Sequence, residues 1–535
     1  MKPGTVANDS GSTISTWMSE RVPTFDSEIA EVDPTTVCVI GAGIAGLSVA
    51  LALVEEGVNV LVLDQGPIGG GQSARTSAHL ASAVDDEFHV LEKRFGRDGA
   101  RIVYESHAAA IDWIEANIAR YGIDCDFQRV DAYLWTPPDG DRDIQSKELE
   151  ASRRAGLVVD QVAGAPLPFD TGPCLRFANQ AEFHPLKYLR GLADAIVAGG
   201  GRIHTGVHVN NVKSGEPVEL ELANGRVLRA RAVVDCTQMS ITSRFNIPLR
   251  EAAYRTYMIA LDIERGYVPH GLYWDTVDPY HYIRVASGDE GRDVLLVGGE
   301  DHRVGQGDPE THLPRLEQWA RDHFPAAGRV VATWSGQIQE PSDGPAYIGK
   351  LPLHANVYVC TGDSGNGLTH GTIAALLIPA LIQRRDHPWR DLYSPGRSRL
   401  RAVGELAKEL AQSNGPYADW VRSGDVESVD QIPRGHGATI RRGLHIVAAY
   451  KDEQGQCHFR NAHCPHFHGV VRWNEVEKSW DCPVHGSRFD CTGRVINGPS
   501  SVDLAAAPVD VEANALPETA RDQPSPRPQR TKPTS

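Results

Sequence analysis

Two short segments near the end of the chain carry the residue types best able to hold a redox metal: Cys464-Pro465-His466 and Cys482-Pro483-Val484-His485. Each supplies one thiolate and one imidazole, spaced C-x-H in the first and C-x-x-H in the second. A [2Fe–2S] cluster with both cysteines on one iron and both histidines on the other takes this set. The imidazoles raise its potential above that of an all-cysteine cluster. A Cys2His2 structural zinc site is the alternative. Zinc fingers usually pair like ligands, however, and here each loop carries one of each. The spacing favours the mixed-ligand cluster, held by Cys464, His466, Cys482 and His485. His468 sits just behind His466 but breaks the C-x-H spacing, and Cys491 reads as a core or surface thiol.

A second stretch points to a nucleotide. Val37-Cys38-Val39-Ile40 reads as a short strand, Gly41-Ala42-Gly43-Ile44-Ala45-Gly46 as a glycine turn, and Leu47 to about Glu56 as a helix. Asn59 to Leu63 is then a second strand ending on Asp64. A lone G-x-G-x-x-G is weak, but this one has its strand, helix, strand and acid. Gly41 permits the tight turn, Gly43 lets backbone approach a pyrophosphate, and Gly46 lets helix pack on strand. The helix N-terminus faces the phosphate charge, and Asp64 is placed to accept from ribose hydroxyls.

The rest of the chain must position these two sites. With 535 residues it is long enough for several domains. A net charge of −16 argues against nucleic acid or an anionic membrane as partner. The nine cysteines are odd in number and scattered, so they suggest a reducing compartment, the cytoplasm, rather than a disulfide framework. Residues 1–34 show no apolar leader segment and read as a loose arm, and no run is long enough to span a membrane. Residues 396–424 read as a helical linker, with helical spacing from Ser398 to Gln412, a turn at Asn414-Gly415-Pro416 and a short helix to Arg422. From 425 to 512 short strands suggest a small all-β domain, and the proline-rich tail 513–535 should be disordered. Gly298-Gly299-Glu300-Asp301-His302 lacks a third glycine and a following helix, so it reads as a strand-to-loop transition. No second nucleotide site of the NAD(P)H kind is visible.

Downstream of Asp64, the glycine-rich loop Gly69-Gly70-Gly71-Gln72-Ser73-Ala74-Arg75-Thr76-Ser77 precedes apolar residues. Here the chain resembles the D-amino-acid-oxidase/glycine-oxidase superfamily of FAD flavoproteins, over about residues 36–395. Phe183-His184-Pro185 with its helix and the strand to Val207, Ala232 to Thr237, Asp343-Gly344-Pro345-Ala346-Tyr347-Ile348-Gly349 and Tyr358 to Thr369 recur in family order. Cys236-Thr237 departs from the family's A-x-G, and the proline of the 343–349 turn is shifted by one. The resemblance implies a Rossmann-like α/β FAD domain of glycine-oxidase type (about 35–84, 181–245 and 339–395). An α+β substrate domain (85–180, largely helical, and 246–338, strands roofing the flavin) would complete residues 35–395. It implies FAD contacts at Gly41, Gly43, Ile44, Ala45, Gly46, Asp64, Gln65, Gly71, Gln72, Ser73, Arg75, Thr76 and Ser77. Further contacts are implied at Val207 and at Gly365, Asn366, Gly367, Leu368 and Thr369.

The all-β segment resembles Rieske domains, so the whole chain looks like a glycine-oxidase-like FAD oxidoreductase with a fused C-terminal Rieske [2Fe–2S] domain. The family's extra disulfide cysteines are replaced by Gly469 and Val484, and a frequent tyrosine donor by Phe489; Ser487 is kept. Fewer donors to the cluster imply a potential at the low end of the Rieske range, about −150 mV. A Rieske ring-hydroxylating oxygenase is disfavoured by the domain order and by the lack of a D-x-x-H-x4-H run.

The expected function is oxidation of a small substrate, amine or amino-acid-like by the superfamily's habit. Hydride would pass to FAD, then single electrons to the cluster and on to an external acceptor. An electron-transfer component feeding a separate oxygenase is the alternative, as is a flavin reduced through the cluster for oxygen chemistry. Tyr254, Arg255, Tyr257, Tyr273, Trp274, Tyr282, Arg284 and Trp334 are substrate-pocket candidates, and the two arginines hint at an anionic substrate group. Tyr257, His281 and Arg284 are the candidates for acid–base work.

Overall fold

A computed structural model of the chain describes residues 5–6, 8–138, 140–141, 143–243, 247–288, 291–397, 424–443 and 445–507. The expected linker helices and the tail therefore fall outside the described residues.

The nucleotide-type segment builds a six-stranded sheet. Its order is Tyr347–Lys350, Val357–Thr361, Ala232–Gln238, Val37–Ile40, Val60–Asp64, Arg202–Thr205, parallel except for the first strand. These strands are apolar on both sides, because both faces of a parallel sheet are covered. On one face lie the helices Ile44–Glu55 and Gly367–Ile382, apolar nearly all round and packed on each other. On the other lies a three-stranded meander, Val209–Lys213, Val218–Leu222 and Val227–Ala230, sharing a core with Ile40, Leu61 and Val359.

A nine-stranded sheet stands over the open end of this unit. Its spine is Val330–Pro341, Glu251–Glu264, Arg292–Arg303, Tyr282–Ser287, Leu272–Asp275, Gln128–Trp135, Cys174–Glu182 and His79–Leu80. All pairs are antiparallel but Leu272–Asp275 with Gln128–Trp135. Side chains alternate strictly along Glu251–Glu264. Met258 and Ala260 join the main core, whereas Tyr257, Ile259, Leu261 and Ile263 pack beneath the helix Pro309–His323.

Residues 85–180 are only partly helical. The helices Phe88–Tyr121 and Asp143–Ala155 alternate with three strands that extend this sheet, so the helical expectation is corrected there. Gly298 to His302 also stays within a strand, where a bulge absorbs Gly299 and Glu300 at positive φ; it is no strand-to-loop transition.

The C-terminal unit has two small antiparallel sheets. One comprises His436–Arg442, His445–Lys451 and Cys457–Asn461, the other Arg472–Asn474, Ser479–Asp481, Arg488–Asp490 and Val495–Asn497. The N-terminal arm is not loose. Trp17 Nε1 donates to Thr76 O (2.7 Å), Ser15 Oγ to Ala74 O (2.5 Å) and Thr13 N to Glu477 Oε2 (3.1 Å). Polar side chains lying between two units satisfy buried groups of both. Among the described residues no helix is long and apolar enough to cross a membrane.

Candidate functional site

One cavity runs along the open end of the parallel sheet and under the large sheet. It is bordered by Gly41, Gly43, Ile44, Ala45, Asp64 and Gln65, by Gly71, Gln72, Ser73, Arg75, Thr76 and Ser77, by Val207, and by Gly365, Asn366, Gly367 and Leu368. Gly46 works from behind: a Cβ there would lie 1.8 Å from Gly41 O, so only glycine lets helix and turn meet. Thr369 turns away, its Oγ1 meeting His107 Nδ1 at 2.8 Å, because it lies on the buried side of its helix.

Two helices open on this cavity, Ile44–Glu55 and Gly367–Ile382, and neither has a side-chain cap. Ile44 N–H is taken by Ser73 Oγ (3.0 Å); the following first-turn amides can meet acceptor oxygens of a ligand. Asp64 is fixed by Ala42 N (2.5 Å) and Gly66 N (2.8 Å), and burial raises it to about 6. Uncapped helix starts, a glycine turn and a held carboxylate suit the phosphates and ribose hydroxyls of a dinucleotide such as FAD.

Two further contributors come from distant sequence. Asp9 of the arm borders the same end, raised to about 7 by burial and by Asp64. The segment 495–501 of the C-terminal unit, the end of its last strand and the turn after it, closes it, with Gln65 Nε2 donating to Ile496 O (3.3 Å) and His208 touching Ser501 O (3.0 Å). No local motif marks Asp9 in the sequence.

Toward the large sheet the cavity is bordered by Asp85, Thr256, Trp274, Tyr280 and Tyr282. Tyr280 Oη donates to Asp85 Oδ2 (3.3 Å), and the Tyr282 and Thr256 hydroxyls share a 2.7 Å bond. Burial, then the Asp86 charge, raises Asp85 to about 7. Burial likewise raises Asp301 to about 7 and Glu340 to about 8, each with the other acids of this corner as neighbours. Asp301 Oδ1 is buried without a partner. Sequence reading missed this corner, since acids scattered over three separate segments leave no pattern.

The three acid–base candidates are corrected. Tyr257 points to the far face by strand alternation, stacked on His302 and His312, its hydroxyl buried and unpartnered. His281 also faces away, bonded to Asp275 Oδ2 (2.9 Å) and stacked on Trp319. Arg284 is buried against Ala78 O (2.7 Å), Phe183 O (3.2 Å) and Glu182 (3.5 Å), where it secures the 77–78 backbone. Arg255 is likewise occupied, by Ser335 Oγ (2.9 Å) and Asp481 (3.8 Å). With both arginines engaged, the hint of an anionic substrate group loses its basis. Tyr273 stacks on Tyr133 in the far-face core, and Trp334 is fully buried, its Nε1 donating to Arg75 O. Tyr254 carries Arg303 over its ring.

At the cluster corner, Cys464 and Cys482 are side by side: the hydrogen bond between their thiols, with amides of His466 and Phe467 and the Ser487 hydroxyl, lowers Cys464. The rings of His466 and His485 stand 5.1 Å apart. His485 is 6% exposed and its Nδ1 is buried with no partner, as an iron-ligating nitrogen would be before binding. Among the described residues no three His, Cys, Asp or Glu converge as a single ion requires. A sulfur pair beside an imidazole pair fits the two irons of a [2Fe–2S] cluster. A Cβ on Gly469 would lie 2.4 Å from Val484, so the positions lacking disulfide cysteines do face each other. His468 is exposed and Phe489 fully buried.

A family model for FAD dependent oxidoreductases (DAO) matches residues 36–381, and one for the Rieske [2Fe-2S] domain matches residues 421–508. YhfW of Bacillus subtilis, named as a Rieske 2Fe-2S iron-sulfur protein, is 29% identical over 92% of this chain and 97% of its own. Gamma-glutamylputrescine oxidoreductase of Escherichia coli is 27% identical over 65% of this chain and 83% of its own. Glycine oxidase of Geobacillus kaustophilus shares the fold at a TM-score of 0.59 and 18% identity, over 68% of this chain and 98% of that one. With its glycine turn, uncapped helices and paired thiol–imidazole loops in these positions, the chain belongs to the DAO family of FAD dependent oxidoreductases and carries a C-terminal Rieske [2Fe–2S] domain.

Proposed function

We propose that the enzyme oxidises a small cationic amine and delivers the electrons, through its Rieske domain, to an external one-electron acceptor. When bound, FAD accepts a hydride from the carbon bearing nitrogen, and the cluster relays electrons singly. In this reading residues 35–395 hold FAD and substrate, and residues 425–512 hold the cluster.

The observation that carries the substrate class is Asp85 on the cavity wall, with Asp86, Asp301 and Glu340 as its acidic neighbours. Burial makes each costly to ionise alone. An ammonium group beside them removes that cost, so the corner favours a cation over a carboxylate. Tyr280 holds Asp85 in place. Asp85, poised near neutrality, accepts the ammonium proton and leaves the nitrogen neutral before hydride departs. Trp274 and Tyr282 fill the wall around it and exclude water. The relative named for gamma-glutamylputrescine, an amine, supports the same class.

The test is anaerobic mixing of the holoenzyme with a panel of diamines, γ-glutamyl amines, zwitterionic amino acids and NADH. Expected is flavin bleaching by cationic amines, followed by the electron paramagnetic resonance signal of a reduced Rieske cluster. Bleaching by NADH alone sinks the proposal in favour of an electron-transfer component. Bleaching confined to zwitterions removes the substrate class.

A further inference from the structure

The cavity and the cluster corner share a wall, the strand Val330–Pro341, and Gln337 touches both sides of it. Its backbone N–H donates to Gln72 Oε1 (2.7 Å), and its carbonyl accepts from Gln238 Nε2 (2.5 Å). Gln72 and Gln238 both border the cofactor cavity. Strand alternation sends the side chain the other way. There Nε2 donates to Gly486 O at 3.0 Å, and Oε1 accepts from Arg255 Nη2 at 3.3 Å. Gly486 directly follows the ligand His485. The seat is tight: a Cβ on Gly486 would lie 2.3 Å from Ala253 Cβ and 2.9 Å from Gln337 Nε2, and Gln337 is only 3% exposed. The two histidines are thus unequal. His485 is buried beside the flavoprotein half, whereas His466 is partly exposed.

We propose that Gln337 is the positioning residue of the internal electron port, coupling the cofactor cavity to the cluster through Gly486 and His485. The inference rests on the proposed direction of electron flow. Tunnelling falls off more steeply through empty space than along bonds and hydrogen bonds. The path from Gln72 through Gln337 to Gly486 and His485 is covalent but for two hydrogen bonds. Each transfer moves one electron from the two-electron-reduced flavin to the oxidised cluster. Two transfers, with an external one-electron acceptor emptying the cluster between them, restore oxidised flavin and release its proton through the cavity carboxyls to water.

Gln337→Met keeps length and bulk but removes the donor. Gln339→Met removes a fully buried, unpartnered amide from the same face and serves as the control. Holoenzymes are reduced anaerobically by a laser flash with 5-deazariboflavin, and flavin and cluster absorbance are followed separately. Midpoint potentials and the Rieske resonance signal are measured beside them. Expected for Gln337→Met is internal equilibration slowed about ten-fold or more, with potentials and resonance signal unchanged. Gln339→Met should match the wild type. A wild-type rate in Gln337→Met, or a slowing explained by a shifted potential, overturns the proposal. Should Gln337→Met fail to fold, Gln337→Leu carries the same comparison. If wild-type flavin and cluster exchange no electron, the functional reading falls and this port with it. If they do exchange but the Gln337 variants behave as wild type, only the port falls.

Discussion

Arg75 and Glu477 lie 402 residues apart in sequence and 2.9 Å apart in space, with neither side chain exposed. Arg75 belongs to the loop that borders the cofactor cavity, and Glu477 to the Rieske domain. The same guanidinium also donates to Ser335 O, Thr13 O and Asn8 Oδ1, so loop, large sheet, arm and Rieske domain meet at one cation. Through this buried contact, in which both terminal nitrogens of Arg75 are bonded, the Rieske domain docks on the flavoprotein half.

Breaking this pair from one side leaves a buried charge, so Arg75→Met should destabilise by about 3 kcal/mol or more. Arg75→Met with Glu477→Leu should recover much of the loss, as thermal unfolding would record. Burial alone would raise the Glu477 carboxyl; Arg75, Arg488 and Arg255 overcome it and hold it at about 2. Its stabilising contribution is therefore complete above about 4.5, the unfolded value, and lost as pH falls toward 2. Glu477→Gln should flatten the acid limb of the stability curve in that window. An unchanged limb would count against the network.

Asp85→Asn should cut kcat/KM for a cationic amine by about a hundred-fold or more. In the wild type kcat/KM should rise with pH through about 7, as Asp85 becomes the base form. The Asn variant should lose that rise. Tyr280→Phe, which removes only the 3.3 Å donor, should cost less.

Tyr257→Phe and His281→Ala should leave kcat within a factor of about two, since neither side chain reaches the cavity. The Tyr257 hydroxyl is buried without a partner, so Tyr257→Phe should raise stability by about 1 kcal/mol. A large loss of turnover in either variant would restore the role that their orientation away from the cavity denies them.

Phe489 is fully buried in the core that holds Cys464 and Cys482. Phe489→Tyr should place a donor near the cluster sulfurs and raise the midpoint potential by about 60 mV, one hydrogen bond of about 1.4 kcal/mol in a one-electron couple. Redox titration by electron paramagnetic resonance reads it directly. Cys464→Ser should abolish the Rieske signal while leaving bound FAD intact.

The local devices were legible in the sequence. The glycine turn with Asp64, the paired Cys/His loops and the order of the FAD segments are each set by neighbours in the chain. A turn, a helix start or a ligand loop needs only a few contiguous residues of the right kind. The same locality shows in Gly469 and Val484, read as a missing disulfide and found face to face.

What the sequence could not decide was which face of a strand would meet the cofactor. A period of two places Thr256 and Tyr257 on opposite sides, but which side becomes cavity depends on what packs against each. The helix Pro309–His323 and the Rieske domain claimed the Tyr257 face; FAD's cavity took the other, with Thr256, Tyr282 and the acids around Asp85. Arg284 and Arg255, free cations on paper, became structural once buried carboxylates and carbonyls surrounded them. Asp9, Gln337 and Glu477 gain meaning only where distant segments meet, because a lone polar residue has no periodicity to betray it.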